Sequence, residues 1–401
     1  MPPLAELLVY GDEMDGKNII DEDKQYIAGT YARFRVAFKE GRGCRLYDYD
    51  GKEYVDCGSG IAVDIFGIND EEWKNAVIAQ LNSVQHTSNL FYTEPQARLA
   101  KLLCEKTGAK KVFFGNSGAE ANECAIKAAR KYGEVHHGEK RKEIITLKDS
   151  FHGRTLATLA ATGQDAFHKY YGPFPAGFVY AEPTAEGVEK CVNENTCAVM
   201  IECIQGESGV NTLDKDFVKS VEKLCKERDI LLICDEVQTG NGRTGYLYAY
   251  QAYGISPDIV TTAKGLGGGL PIGACMLFDK CENVFGFGDH GSTFGGNPVV
   301  CAGACSIIGR IDEKLLLSVR EKGEYFKTGL EKIEGVEEVS GMGLMIGIKT
   351  AKPASEIAKK CINKGLLVLT AHSKVRLLPP LNISKDEIDF ALKILSEVIS
   401  E

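Results

Sequence analysis

Between residues 111 and 278 the chain alternates short apolar runs with helical stretches, and this alternation limits the possible folds more than any other feature. The apolar runs cover 111–114, 143–147, 178–181, 197–202, 230–235, 258–262 and 273–278. Helical periodicity fills 119–132 and 214–228. A strand buried on both faces reads as a continuous aliphatic run, and parallel neighbours need crossovers of a dozen or more residues. The pattern predicts an α/β large domain: a mostly parallel seven-stranded sheet with helices on both faces.

The flanks read differently. The start is polar and is expected to be irregular to about Tyr31. Two alternating runs surround Asp50-Gly51 within 45–56, a hairpin signal. Helices are expected near 71–84 and 94–107, with Asn69 or Asp70 as a cap. Beyond 298 come helices near 299–309 and 312–333, a glycine-broken hairpin at 336–348, a helix near 354–364 and a strand at 366–370. The last helix opens on Ser384-x-x-Glu387, a capping box. We expect 1–50 and 305–401 to form a smaller α+β domain, and 51–304 the large domain.

Composition excludes several function classes. Hydrophobic residues at 44% and charged residues at 26% are ordinary for a globular chain, which excludes general disorder. Lys and Arg number 47 against 56 Asp and Glu, a net charge of −9 that opposes nucleic-acid binding and polybasic membrane attachment. The N-terminus lacks a basic-then-apolar signal, and the longest apolar run, 230–234, is too short to span a bilayer. The expectation is a cytoplasmic protein. Its 14 cysteines are scattered without C-x-x-C, and read as small buried hydrophobes in a reducing compartment. His136-His137 beside Gly138 reads as a surface loop. No grouped Cys/His set suggests a metal.

Gly240-Asn-Gly-Arg-Thr-Gly245 fits G-x-G-x-x-G after a strand, the pattern of a dinucleotide-binding turn. Three features oppose that reading. Asp235 and Glu236 would meet the pyrophosphate with negative charge. The stretch before Pro257 is short for a crossover helix. Asp258 begins a strand rather than ending one. Ala263-Lys-Gly-Leu-Gly-Gly-Gly269 is no P-loop either, because its lysine precedes the glycines.

Lys264 instead ends an apolar run and precedes a glycine cluster. That position is the carboxyl edge of a sheet, where open α/β sheets bind ligands. A partly desolvated lysine there can attack an aldehyde; an ordinary surface lysine is the alternative. Asp235 ends another buried run, where a carboxylate needs a strong partner. The protonated ring nitrogen of pyridoxal phosphate is one such partner, with a helix cap or a metal-binding acidic pair as alternatives. The stretch 111–120 reads strand, loop, helix. Ser117, Gly118 and Ala119 there form either an anion site or a simple N-cap, and the two are compatible.

These residues sit in motifs that resemble the class III (fold type I) pyridoxal-phosphate aminotransferases, most closely the acetylornithine branch. The motifs are His86-Thr-Ser-Asn-Leu-Phe-Tyr92, Phe113-Phe-Gly-Asn-Ser-Gly-Ala-Glu-Ala-Asn122, Phe151-His-Gly-Arg-Thr155, Ile204-Gln-Gly-Glu207, Asp235-Glu-Val-Gln-Thr-Gly240, Ala263-Lys-Gly-Leu-Gly-Gly268 and His290-Gly-Ser-Thr-Phe-Gly-Gly-Asn-Pro298. The resemblance covers nearly the whole chain. It implies pyridoxal 5'-phosphate attached to Lys264, with Asp235 on its ring nitrogen, Gln238 on its 3-hydroxyl and Phe151 stacked on its ring. Ser117, Gly118 and Ala119 then hold its phosphate, and His152 and Ser292 join the cofactor set. Thr293 matches a residue that reaches the neighbouring subunit's cofactor, which implies a homodimer with shared active sites. Loop 289–296 then reads as interface. Arg154 is implied for the substrate's remote carboxylate, Arg376 for the α-carboxylate of glutamate, Tyr31 as a further substrate contact, and Glu207 as a switch that covers Arg376.

The implied reaction is ping-pong transfer of a terminal amine to 2-oxoglutarate. Two local departures from the family pattern are the segment 66–73, which replaces G-H-x-H-P, and Cys203 in place of a proline. Ornithine δ-aminotransferases carry Tyr where Ile61 stands, and its absence favours an acylated or amine-free donor, N2-acetylornithine first. Succinyl-diaminopimelate, succinylornithine, ornithine and 4-aminobutyrate follow as alternatives.

Overall fold

The computed structural model describes residues 15–401, so expectations for 1–14 lie outside the described residues. At its centre is a seven-stranded sheet in the order Lys111–Gly115, Gly273–Leu277, Ile259–Thr262, Leu231–Asp235, Thr196–Ile201, Glu143–Leu147, Phe178–Ala181. Gly273–Leu277 is antiparallel to both neighbours, and the other pairings are parallel. The expected runs all appear, with ends shifted by a residue or so.

These strands are apolar throughout because both faces are covered. Leu231 and Ile233 enter one core cluster while Leu232 and Cys234 enter the other, and Met200 and Ile201 divide in the same way. That is the two-residue alternation of strand side chains. Helix Gly118–His137 covers one face with Cys124, Ala125, Ala128 and Ala129. Helices Glu94–Thr107, Lys215–Arg228 and Pro298–Arg310 contribute to the other cluster. Burying one large aliphatic side chain in this way stabilises by about 1.5–3 kcal/mol. A polar residue on such a face, like Asn122, therefore needs partners.

Two smaller sheets flank the centre. Phe38–Arg42, Arg45–Asp48 and Glu53–Asp56 form an antiparallel meander. Leu366–Leu367 joins it in parallel, so N- and C-terminal segments share one sheet. The hairpin Val336–Met342/Met345–Thr350 continues through Lys374–Leu377 to Leu369–Ala371, all antiparallel. The single strand expected at 366–370 is thus two short strands in two different sheets. The capping box forms as expected, with Ser384 and Glu387 exchanging bonds at the start of Lys385–Ser400. Asp70 caps Glu71–Leu81 and also accepts two hydrogen bonds from the Arg310 guanidinium, at 2.7 and 3.0 Å.

Two further expectations fail. Residues 16–26 are not irregular but form the helix Gly16–Tyr26, capped by Asp15 and burying none of its residues. His136 and His137 are not in a loop: they complete the last turn of Gly118–His137, where the His137 ring meets Asp229 at 2.9 Å. All fourteen cysteines are free and eleven are buried, so they pack as small hydrophobes. No helix among the described residues is long and apolar enough to cross a membrane.

Candidate active site

Parallel register puts several strand ends at one edge of the sheet. Asp235 pairs opposite Thr261, so Asp235 and the residues after Thr262 emerge side by side. A cavity of about 460 Å³ opens there. Its lining brings together Ser117, Gly118, Ala119, Phe151, His152, Arg154, Asp235, Gln238 and Lys264 of the residues singled out from the sequence.

Asp235 is 4% exposed, yet its carboxylate is well supplied with donors. Oδ2 accepts from Asn122 Nδ2 and His152 Nδ1, each at 2.8 Å, and Oδ1 accepts from the Val237 N–H at 3.0 Å. Against a carboxylate acceptor, Nδ1 must be the protonated nitrogen of His152. Three donors satisfy a carboxylate that burial has cut off from water. Asn122 is itself fixed, accepting from Thr261 Oγ1 at 2.6 Å and donating to the His152 carbonyl at 2.7 Å. Sequence reasoning gave Asn122 no role. Its signal was a polar side chain on an otherwise small and apolar helix face.

Lys264 follows strand Ile259–Thr262 with φ +45°, a left-handed conformation that costs a β-carbon residue about 1 kcal/mol or more. Asn241 braces the approach, its amide donating to Thr262 Oγ1 at 3.0 Å and to the Ala263 carbonyl at 3.1 Å. Burial lowers the Lys264 pKa below the usual lysine value, and the negative charges of Glu207 and Asp235 only partly oppose it. The result is an amine more easily deprotonated than a surface lysine.

Ser117 caps helix Gly118–His137, accepting from the Glu120 N–H at 3.2 Å. The first helical N–H groups, at Gly118 and Ala119, have no intrahelical acceptor and line the cavity. A methyl on Gly118 would come within 2.7 Å of Val237 Cγ1, so only glycine lets this turn sit against the strand end. The helix dipole adds positive potential at the same place.

Glu202 also lines the cavity and was missed. It follows strand Thr196–Ile201 much as Asp235 ends Leu231–Asp235, so the strand-end argument would have found it. Its Oε2 accepts the Phe151 N–H at 2.8 Å. Burial, reinforced by the Asp235 charge, pushes its pKa well above the carboxylate range.

Arg376 lies behind Gln238. Its NH1 donates to Glu207 Oε1 at 2.7 Å and to Gln238 Oε1 and the Gly206 carbonyl at 3.0 Å each. Gln238 Nε2 donates back to Glu207 at 3.0 Å. Burial raises the Glu207 pKa, but the Arg376 charge and hydrogen bond outweigh it and leave the group below its ordinary value. Arg154 stands at the mouth, over the Phe167 ring at 4.1 Å, without a carboxylate partner among the described residues. Thr293 is exposed and Ser292 half-buried, outside the cavity lining, though Ser292 Oγ accepts from cavity residue Asn116 at 3.1 Å. Tyr31, 74% exposed, lies outside the cavity beside Arg33.

The G-x-G-x-x-G turn meets this chemistry through Asn241, whose amide braces the residues before Lys264. No helix follows it directly, and Arg243 within it is fully buried, donating to the Leu344 and Pro379 carbonyls.

A strained lysine and a multiply bonded aspartate at one sheet edge, beside a helix N-terminus, match a known family along nearly the full chain. Residues 26–399 fit the family model for aminotransferase class-III. The chain belongs to the class-III aminotransferases. An acetylornithine aminotransferase of Haemophilus ducreyi is 48% identical over 392 residues, covering 97% of this chain and all of that protein. The ornithine aminotransferase of Toxoplasma gondii superposes with TM-score 0.93 at 29% identity, covering 97% of this chain and 96% of that one. A second structure of the Toxoplasma enzyme, with TM-score 0.92 at 30% identity over 96% of this chain and 94% of that one, has PLP at partial occupancy in its active site. As a member of this family, the chain is an enzyme that transfers amino groups.

Proposed function

We propose that the cavity holds pyridoxal 5'-phosphate and that the enzyme moves the terminal amine of N2-acetylornithine to 2-oxoglutarate. The observation that carries this reading is the convergence of Lys264, Asp235 and the open helix N-terminus on one cavity. The donor set fits the cofactor: N–H groups of Gly118 and Ala119 with the Ser117 hydroxyl for a phosphate, Asp235 for a protonated ring nitrogen, and Lys264 for an aldehyde. Phe151, Gln238 and His152 complete the lining. When bound, the cofactor supplies an aldehyde for amine exchange and a ring that withdraws electrons.

The chain's own residues do the rest. Asp235, oriented by its three donors, would hold a proton at the ring nitrogen. Lys264, with its lowered pKa, takes and returns the proton at the substrate carbon that bears the amine. Arg154 offers a free guanidinium to a carboxylate remote from that carbon. Glu207 covers Arg376 while a donor without a carboxylate at that point is bound, and withdraws when glutamate presents one. One pocket can then serve two unlike substrates.

Identity with acetylornithine aminotransferases over nearly the full chain supports the choice of donor. Ile61 supports it too. It lies on the segment Ser59–Ala62, all at positive φ, anchored by Asp56 accepting the Gly58 and Ser59 N–H groups at 2.7 and 3.0 Å. Ile61 itself is 40% exposed and outside the cavity lining, which takes up at Val63, two residues on. An apolar side chain there offers nothing to a free α-amine. A homodimer completes the proposal. Leu90, Phe91, Tyr92, Phe287 and Phe294 are each at least 60% exposed. Asn89 ties the first group to the Ser292 and Gly295 carbonyls of the loop that carries Thr293. So large an apolar patch needs a cover.

The test mixes cofactor-loaded protein separately with N2-acetylornithine, ornithine, 4-aminobutyrate and glutamate, and follows the cofactor's visible absorbance. Fast bleaching by acetylornithine and glutamate alone is expected. Fast bleaching by ornithine would overturn the use of Ile61 to choose the donor, and fast bleaching by 4-aminobutyrate would overturn N2-acetylornithine as that donor.

A further inference from the structure

A second cavity, of about 440 Å³, shares no lining residue with the active site. Three parts of the chain wall it: residues 212–215, residues 244–253, and helix Glu313–Leu330 with the hairpin turn at 341–343. Three cations, Lys215, Arg320 and Lys327, line it against a single carboxylate, Glu324. The Arg320 guanidinium is already engaged, donating to the Gly245 carbonyl and, at 2.6 Å, to Glu313. Among the described residues Lys327 Nζ has only the Gly341 carbonyl, at a long 3.5 Å. Among the described residues, neither Lys215 nor Glu324 has an ion-pair partner. With Arg320 paired to Glu313, two ammonium groups face one carboxylate, a small local excess of positive charge on a chain of net charge −9.

We propose that this cavity binds a small polyanion, of the charge class shared by phosphate esters and tricarboxylates, bridging helix Lys215–Arg228 to helix Glu313–Leu330. With the Arg320 fork closed, recognition falls to ammonium point charges. That suits several negative charges better than one planar carboxylate. Tyr246, Tyr253 and Met342 give the ligand's body an apolar wall. The Tyr253 hydroxyl is spent on the Cys203 and Leu213 carbonyls at 2.9 and 3.0 Å.

The cavity sits where its walls cannot slip independently. A methyl on Gly323 would come within 2.3 Å of the Gly343 carbonyl oxygen, and one on Gly343 within 2.6 Å of the Thr244 backbone. From this turn the chain enters Met345–Thr350, whose Gly347 pairs directly with Arg376. A bound polyanion therefore braces the strand that carries the substrate-side arginine.

The test is calorimetric titration of the cofactor-loaded protein with inorganic pyrophosphate and, separately, with tricarballylate, at low ionic strength because exposed charges are screened. Saturable binding of at least one probe is expected. Lys215→Gln with Lys327→Gln should weaken it about tenfold, and Glu324→Gln should strengthen it, with cofactor absorbance unchanged in each. The tighter probe tells phosphate from polycarboxylate chemistry. Arg154→Gln should leave the binding unaltered, which separates this cavity from the active site. Thermal melting checks that the double variant is folded, and Glu324→Gln gives an independent reading if it is not. No saturable binding by either probe, or binding indifferent to the lysine and glutamate changes, overturns the proposal.

Discussion

Replacing Glu207 with glutamine tests the idea that this carboxylate is a movable cover for Arg376. Among the described residues Glu207 is the only charged acceptor of Arg376, at 2.7 Å, and the other acceptors are neutral. Glutamine keeps the shape and removes the countercharge. Removing one partner from a fully buried ion pair costs about 3–5 kcal/mol. The Arg376 side chain is 3% exposed but that of Glu207 is 28% exposed, so water recovers part of that cost. A value of about 2 kcal/mol follows once solvent screening is allowed for. On the proposed reading, glutamate in the parent enzyme has to break this pair before its carboxylate reaches Arg376. In the variant it finds the arginine uncovered. The glutamate half-reaction should therefore gain up to about 30-fold in kcat/KM. N2-acetylornithine meets the same uncovered arginine before and after binding, so its half-reaction should change little. Stopped-flow absorbance of the loaded enzyme with each substrate measures both. An unchanged ratio of the two, or a selective loss with glutamate, would refute the covering role.

Three further outcomes are expected. Lys264→Ala should abolish turnover, and near-normal steady-state activity without added amine would remove the lysine from the chemistry. Asn122→Ala takes one donor from Asp235 and leaves the Thr261 hydroxyl without its acceptor, a loss of about 1–3 kcal/mol. Equilibrium dialysis should show cofactor affinity down by roughly 5- to 150-fold, and unaltered affinity would mean that Asp235 does not depend on it. Burial, with a smaller contribution from the Asp56 charge, raises Asp64 to about 6 from 3.8. The folded chain then binds more protons than the unfolded chain between about pH 4 and 6, so this group's contribution to stability falls as pH rises through that window. Urea midpoints of Asp64→Asn should fall less steeply than the parent's over that range. Parallel curves would assign the raised pKa to the unfolded state as well.

Periodicity revealed an element wherever one face of it is buried. The central strands and the helices that cover them could be read for that reason. Helix Gly16–Tyr26 could not, because it buries no residue and has no apolar stripe to show. The end of Gly118–His137 was misread for a related reason. Histidines before a glycine look like a turn, whereas contacts of His136 with the Tyr132 ring and of His137 with Asp229 extend the helix to the glycine. The run 366–370 looked like one strand because both halves are apolar. Its division at Val368 depends on which distant strands each half meets.

By itself the sequence determined the chemistry available: a lysine and an aspartate closing apolar runs, a serine before a helix of small residues, and arginines and glutamates in motifs that resemble a transaminase family. Such signals are local, because burial leaves its period in the chain and caps leave their residue types. Tertiary structure decided which groups meet. Parallel pairing of Asp235 opposite Thr261 brings Lys264 beside the aspartate. Helix Gly118–His137, lying across that sheet, delivers Asn122 to the same carboxylate. Packing of the C-terminal sheet brings Arg376 against Glu207 and Gln238. The second cavity, assembled from three distant parts of the chain, left no mark in any one of them. Contacts between residues a hundred or more positions apart depend on strand register and helix packing, which no local pattern encodes.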